Sequence, residues 1–441
     1  LPSKGKKGIN SMKITLKDGS VKEYANAMSV IDIAKDISEG LARMACAGEV
    51  DGEVVDLRTV VDKDSELNIL TFHDEEGKAA YRHTTSHVLA QAVKRLYPQA
   101  KLAIGPSIDS GFYYDFDIES FDRESLDKIE KEMKKIIKEG APLERFTLSR
   151  EEAIALMKEK EEPYKVELIE ELPEGEEISF YRQGDFVDLC AGPHLMSTKG
   201  IKAIKLISSS GAYWRGSEKN KMLTRVYGTA FTKNADLQEY LAYLEDVKKR
   251  DHNKLGREME LFTTVDVIGQ GLPLLLPKGE KMIRTLQRWI EDEEEKRGYV
   301  RTKTPLMAKS DLYKISGHWD HYKEGMFVLG DEEKDKEVFA LRPMTCPFQY
   351  YAYKSTQRSY RDLPIRYGET STLFRNEDSG EMHGLTRVRQ FTISEGHLIV
   401  RPDQMDKEFK ECIDLARYCL KTLGLEEDVT YCLSKWDPKN K

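Results

Sequence analysis

No stretch of this sequence approaches the roughly 18 consecutive apolar residues that a membrane-spanning helix requires, and 33% of its residues are charged, so a helical membrane protein is excluded. A disulfide framework is excluded next. Six cysteines, at positions 46, 190, 346, 412, 419 and 432, are too few and too scattered in 441 residues, a usage expected of a reducing compartment, by default the cytoplasm. The chain also lacks the basic excess of a protein that coats DNA or RNA by bulk charge: its formal net charge is −8. That figure is still compatible with a local basic groove. The opening LPSKGKKGINS has neither an apolar core nor a small-residue cleavage site, so residues 1–11 read as an expression leader, not a signal peptide, and are set outside the fold. No internal repeat or low-complexity tract appears.

What is present suits an α+β multidomain chain, long enough for two to four domains with separate cores. Residues 12–72 open with MKITLKDGSVKEY, which alternates across an Asp-Gly turn, and continue with VIDIAKDISEGLA, which has helical spacing ending near a glycine. This order predicts a small ubiquitin-like unit of the β-grasp type. Residues 73–233 form a mixed α/β region containing HTTSH, the helical ESLDKIEKEMKKIIKEG and DLCAGPH. Residues 234–260 predict one long charged connector helix with Leu237, Leu241, Leu244 and Val247 on a stripe. Residues 261–441 begin with a turn and an amphipathic helix, followed by strand-like segments and loops.

Two constellations carry chemistry. His83 and His87 stand four apart and therefore share a helix face; Cys190 and His194 repeat the step. Three imidazoles and a thiol suffice for a tetrahedral zinc site, with Asp188 able to orient an imidazole as an outer carboxylate. The same groups can instead position a water without metal, a histidine acting as general base. Either pair alone is more often ordinary structure than a site; the two together are more persuasive. The second constellation is STLFRNEDSGEMHGLTRVRQFTISEGHLIV, residues 371–400. It predicts antiparallel strands around a loop with Gly380 and Gly384. An unbroken second strand would set Arg387, Arg389, Phe391, Ile393, Glu395 and His397 on one face. Such a face suits a nucleotide, with arginine for phosphate, phenylalanine for stacking and a carboxylate for an exocyclic amine; the plainer reading is a solvated charge ladder.

FRNEDSGEMHGLTRVRQF resembles motif 2 of class II aminoacyl-tRNA synthetases, and LRPMTCPFQYY, GHWDHYKEGMF and SYRDLPIRYGE resemble the threonyl-tRNA synthetase subgroup. The likeness runs back through GAYWRGSEKNKMLTRVYGTAF and RDHNKLG to HTTSH and to an N-terminal TGS domain. It implies a TGS domain over 12–72, an editing domain over 73–233, a linker helix over 234–260 and an antiparallel-sheet class II core over 261–441.

The resemblance implies an enzyme that joins threonine to ATP, with Mg2+, and passes the product to tRNA(Thr), as a homodimer in its full-length form and with no DNA or membrane partner. Arg375 is then expected to grip the α-phosphate and substrate carboxylate, Glu377 to read the adenine amine, Phe391 to stack on the base and Arg387 to hold the γ-phosphate. His318 is expected to assist proton movement during transfer, and Pro305 to mark motif 1 at the dimer interface. Family members hold a catalytic zinc that binds the amino and hydroxyl groups of threonine. Cys346 and His397 match two of its ligands; no histidine follows His397, so the chain reads as C-terminally truncated before motif 3, and normal aminoacylation by this fragment alone is not expected. Glu395 stands where many relatives carry Asp, Ile393 where many carry Gln, and CPFQYY replaces a CPGH pattern. HxxxH and CxxxH correspond to the site that hydrolyses mischarged seryl-tRNA, with Lys165, Tyr114 and Asp188 as neighbours, and water-mediated deacylation by His83, His87, Cys190 and His194 is favoured there over a metal. Rival readings are a deacylase alone and a non-enzymatic tRNA-binding or regulatory module.

Overall fold

The computed structural model describes residues 12–217, 219–378 and 380–435; the expected leader lies outside them. The chain divides into two compact units that meet in sequence at Leu244 and Glu245. Among the described residues, no helix is long and apolar enough to cross a membrane, and all six cysteines are free.

The first unit opens with a five-stranded sheet in the order Val21–Tyr24, Met12–Leu16, Ser65–Thr71, Ala45–Val50, Glu53–Val55. Met12–Leu16 pairs antiparallel with its hairpin partner and parallel with Ser65–Thr71, the crossover expected of a β-grasp unit. Ile14, Val30, Ile33, Ala34, Leu57 and Leu67 form its core. The single helix expected from VIDIAKDISEGLA is two, Val30–Ile37 and Glu39–Met44. Ser38 is extended, and its hydroxyl accepts from the backbone N–H groups of Gly40 and Leu41, so a serine N-cap restarts the helix where periodicity alone continued it.

The helix Glu75–Leu96 carries HTTSH. It packs on a sheet in which Gly111–Asp117 is flanked by Met222–Phe231, itself paired with Ala203–Tyr213, and by Lys101–Leu102. Val88, Leu89 and Val93 meet Phe112, Tyr114, Phe116 and Val226 in this core. The predicted helix Arg123–Glu139 is present, N-capped by Asp122 and closed by Gly140 in the left-handed region. A three-stranded meander, Leu143–Leu148, Ile178–Gln183 and Phe186–Leu189, carries Asp188 on its last strand and delivers the CAGPH loop.

The expected connector is also two helices, Asn234–Lys249 and His252–Glu258. Asp251 breaks it by accepting from the N–H groups of Asn253 and Lys254, which starts a new helix. In the second unit, the amphipathic helix Pro277–Lys296 leads to a three-stranded sheet. Ile365–Phe374 lies between Tyr299–Arg301, which runs parallel to it, and Gln390–Ile399, which runs antiparallel. A smaller antiparallel sheet, Met307–Lys309, Phe339–Leu341 and Val328–Leu329, packs with Tyr313, Trp319 and Phe348.

Candidate active sites

HTTSH lies on a helix that is not amphipathic in the usual sense. Thr84, Thr85, Ser86, His87 and Gln91 are buried beside Val88 and Leu89, so its polar residues must find partners inside the protein. Thr84 and Thr85 donate to the carbonyls of Ala80 and Tyr81 one turn back, and Ser86 donates to Gly105. That leaves His83 and His87 to face Cys190 and His194. The donor atoms of all four lie within 4.8 Å of one another; the His194 ring centroid is 4.4 Å from those of both His83 and His87.

Hydrogen bonding sets the protons. Thr84 has one hydroxyl proton, committed to Ala80; the same oxygen accepts from Leu195 N–H at 3.0 Å and lies 3.1 Å from His194 Nδ1. It can only accept there, so Nδ1 carries the imidazole proton and Nε2 presents a lone pair to Cys190 Sγ at 3.2 Å. Gly192 N–H donates to that sulfur, and His83 Nε2 lies 3.4 Å from it. Burial lowers His83 from its ordinary 6.5 to about 3, with repulsion from His87 adding to it, and burial lowers His87 to about 4. Enclosure pushes the Cys190 thiol up to about 12. At neutral pH the cluster is therefore three neutral imidazoles and a protonated thiol.

Asp188, at the end of Phe186–Leu189, sits behind the cluster. Its Oδ1 pairs with Lys165 Nζ at 2.7 Å, its Oδ2 accepts from Tyr114 at 2.6 Å, and Oδ2 lies 3.8 Å from His87 Nδ1. Burial opposes ionisation of Asp188, but Lys165 and His87 together hold the carboxyl below the usual carboxylate range. All seven residues singled out in HTTSH, GFYYD, EPYK and DLCAGPH are thus brought together. Sequence reasoning missed Thr84, which lies inside HTTSH, and also Asp56 and Arg58, which bond to the CAGPH loop, and Tyr181, which bonds to Asp56 and packs against His194; none of these carried a local signal.

In the second unit, Arg375 follows Ile365–Phe374 and places its guanidinium 5.2 Å from the Phe391 ring centre; its Nε is enclosed without a partner. Glu377 and Arg387 pair with each other at 2.8 Å, and Arg387, half-exposed, also pairs with Glu381. The face predicted to run from Arg387 to His397 is shorter than expected. The strand starts at Gln390, so Phe391, Ile393, Glu395 and His397 share the less exposed face while Arg387 and Arg389 precede it. The reason is local: His383 N–H donates to the Arg387 carbonyl, and Gly384 adopts φ +51°, folding the loop on itself. A Cβ at Gly384 would stand 2.1 Å from His252 Nε2, the atom that accepts from Leu385 N–H.

Cys346 opens the helix Cys346–Lys354, and its sulfur, a Glu395 oxygen and a His397 nitrogen lie within 4.8 Å of one another. Thr345 and Ser371 hydroxyls both donate to Glu395 Oε1, and His397 Nδ1 is buried without a hydrogen-bond partner. An orphaned imidazole nitrogen beside a thiol and an oriented carboxylate fits a divalent metal of the zinc type. Glu395 had entered the sequence reading as a member of the predicted strand face and as a departure from the family pattern, not as a neighbour of the metal ligands. CPFQYY is absorbed into packing: Phe348 joins the core, and buried Gln349 donates to Glu369, which also binds Arg342. His318 Nδ1 lies 2.7 Å from the Ser316 hydroxyl; Pro305 is exposed.

The fold and these two sites define a class II aminoacyl-tRNA synthetase chain with an attached editing-type domain. Residues 12–71 match the TGS domain, 178–227 the threonyl and alanyl tRNA synthetase second additional domain, and 327–440 the tRNA synthetase class II core domain (G, H, P, S and T). The chain is 68% identical over 430 residues to the threonine–tRNA ligase of Clostridium perfringens strain SM101, covering 97% of this chain and 67% of that protein. Identity to the Clostridium botulinum Eklund 17B ligase is 69% over the same shares, and to the Acetivibrio thermocellus ligase 56%, covering 95% and 65%. The chain belongs to the threonyl-tRNA synthetase family and spans about two thirds of the length of these relatives.

Proposed function

We propose that the chain carries a threonine–tRNA ligase core, which activates threonine with ATP for transfer to tRNA(Thr), and a hydrolytic site that removes serine from seryl-tRNA(Thr). Relatives named threonine–tRNA ligase and the matched class II core support the first activity. Arg375 beside Phe391 is suited to hold a phosphate next to a stacked base. Binding of ATP, as its magnesium complex, exchanges the Glu377–Arg387 pair, in which Arg387 is half-exposed and Glu377 mostly buried, for contacts with adenine and γ-phosphate. His318 serves proton movement in the transfer step. Cys346 and His397 would hold a zinc ion, with Glu395 at ligand distance, and bound there it would supply Lewis-acid contacts to the amino and hydroxyl groups of threonine. Pro305, which is exposed, belongs to the homodimer interface of the full-length protein, and the free cysteines suit the cytoplasm.

The observation that carries the editing reading is the convergence of His83, His87, Cys190 and His194 around one point, with Lys165, Asp188 and Tyr114 behind them. A hydroxyl-reading core accepts serine as well as threonine, so a second site is required. Water attacks the ester carbonyl while a neutral imidazole takes its proton, and that proton passes to the ribose oxygen as the bond from the carbonyl carbon to that oxygen breaks, leaving free serine and tRNA. Metal-free hydrolysis is favoured because the thiol already has Gly192 and His194 as partners. His83→Ala with His87→Ala is expected to abolish serine release from seryl-tRNA while leaving threonine-dependent ATP–pyrophosphate exchange unchanged. A double variant that hydrolyses as fast as the parent sinks the editing assignment; absence of exchange in a folded, full-length protein sinks the ligase assignment.

A further inference from the structure

His194 is held in place from outside the segment that carries it. Its backbone N–H donates to Asp56 Oδ2 at 3.1 Å, and its carbonyl accepts from Arg58 Nη1 at 3.3 Å. The next carbonyl, Leu195, accepts from Arg58 Nη2 at 2.8 Å. Asp56 and Arg58 sit on the turn between Glu53–Val55 and Val60–Val61, inside the part that matches the TGS domain. They are locked to each other at 2.7 Å, and Arg58 also anchors to the Leu143 carbonyl through Nε and Nη2. The same Asp56 oxygen accepts from the Tyr181 hydroxyl at 2.7 Å, and the Tyr181 ring packs edge-on against His194 at 4.4 Å between centroids. Gly192 completes the corner: its φ is +80°, and a Cβ there would lie 2.2 Å from the Tyr181 oxygen.

Both peptide groups of His194 are therefore bonded to one ion pair of the β-grasp part, and its ring is wedged by a tyrosine bonded to the same carboxylate. A charge-assisted pair of this kind, with Asp56 buried and Arg58 largely so, holds geometry more stiffly than neutral hydrogen bonds. The rest of the CAGPH loop is exposed or half-exposed between Cys190 and Pro193. We propose that Asp56 and Arg58 are positioning residues of the editing centre, acting through His194, so that the N-terminal β-grasp unit is a working part of that centre. This rests on the editing reading above.

The test uses the whole chain and seryl-tRNA(Thr). Asp56→Asn keeps the shape and removes the charge. It is expected to lower kcat for serine release about tenfold or more, the scale of a displaced acid–base group, with KM for seryl-tRNA unchanged. Placed in a His194→Ala background it is expected to cause no further loss, because both changes act through one imidazole. Tyr181→Phe, which removes a single hydroxyl, and Arg58→Lys carry the same test if Asp56→Asn does not fold. A rise in KM at constant kcat means that the corner serves tRNA binding and overturns the proposal. So do losses that add to that of His194→Ala, which mark a general structural role, and so does a variant equal to the parent. A parent chain that releases no serine sinks the editing reading and this inference together; a hydrolysing parent matched by Asp56→Asn sinks the inference alone.

Discussion

Thr84 shows how much one side chain can decide. Its hydroxyl donates to Ala80, accepts from Leu195 and accepts from His194 Nδ1, and so it selects the tautomer that turns Nε2 toward Cys190. Thr84→Val keeps the shape and loses all three bonds. Leu195 N–H is then buried without a partner, at a cost of about 1–3 kcal/mol, and the His194 proton is free to move to the wrong nitrogen. Serine release is expected to fall at least about tenfold, as misassigned tautomers cost catalytic groups heavily, whereas Thr84→Ser should retain most of it. Equal rates for the valine and serine variants, measured with thermal unfolding as control, would show that the tautomer does not matter. The sequence marked His83, His87, Cys190 and His194 because four-residue spacing is legible in one dimension. It could not mark Thr84, since an ordinary helix threonine and a proton-placing one are spelled alike.

At the level of elements, hydrophobic periodicity located helices well and their breaks poorly. Ser38 and Asp251 each restart a helix by capping it, and capping is a contest between a side-chain oxygen and the preceding turn that spacing does not record. The strand Gln390–Ile399 was anticipated, but its start was placed too early because the loop before it satisfies its own backbone at His383 and Arg387. Where the N-terminus of Cys346–Lys354 meets that strand, Cys346, Glu395 and His397 come together. If metal binds there and not at the histidine cluster, Cys346→Ser or His397→Ala should lower the zinc content of the purified chain, and Cys190→Ser should leave it unchanged. Zinc that disappears with Cys190→Ser would reverse the preference for metal-free hydrolysis.

Across the whole molecule, the burial of His83, His87 and His194 as neutral groups links stability to pH. Their pKa values lie below the ordinary 6.5, at about 3 for His83 and about 4 for His87, so below 6.5 the unfolded chain binds protons that the folded chain refuses. Their contribution is fully present above 6.5 and is lost as pH falls through about 4 for His87 and about 3 for His83. Urea midpoints should therefore drop over that window, and less steeply in His83→Ala with His87→Ala; identical slopes would mean that these imidazoles are not buried neutral. The family, the α+β class, the two chemistry-bearing stretches and most of the residues of the candidate sites were legible in the sequence alone, because motif spacing and residue type survive without coordinates. Only the tertiary structure decided which distant groups complete each site. Asp56 and Arg58 stand more than a hundred residues before His194, Tyr114 and Lys165 meet on Asp188, and Glu395 meets Cys346. Such contacts arise from packing and hydrogen-bond satisfaction in a closed interior, where burial forces each polar group to find whichever partner the fold brings near.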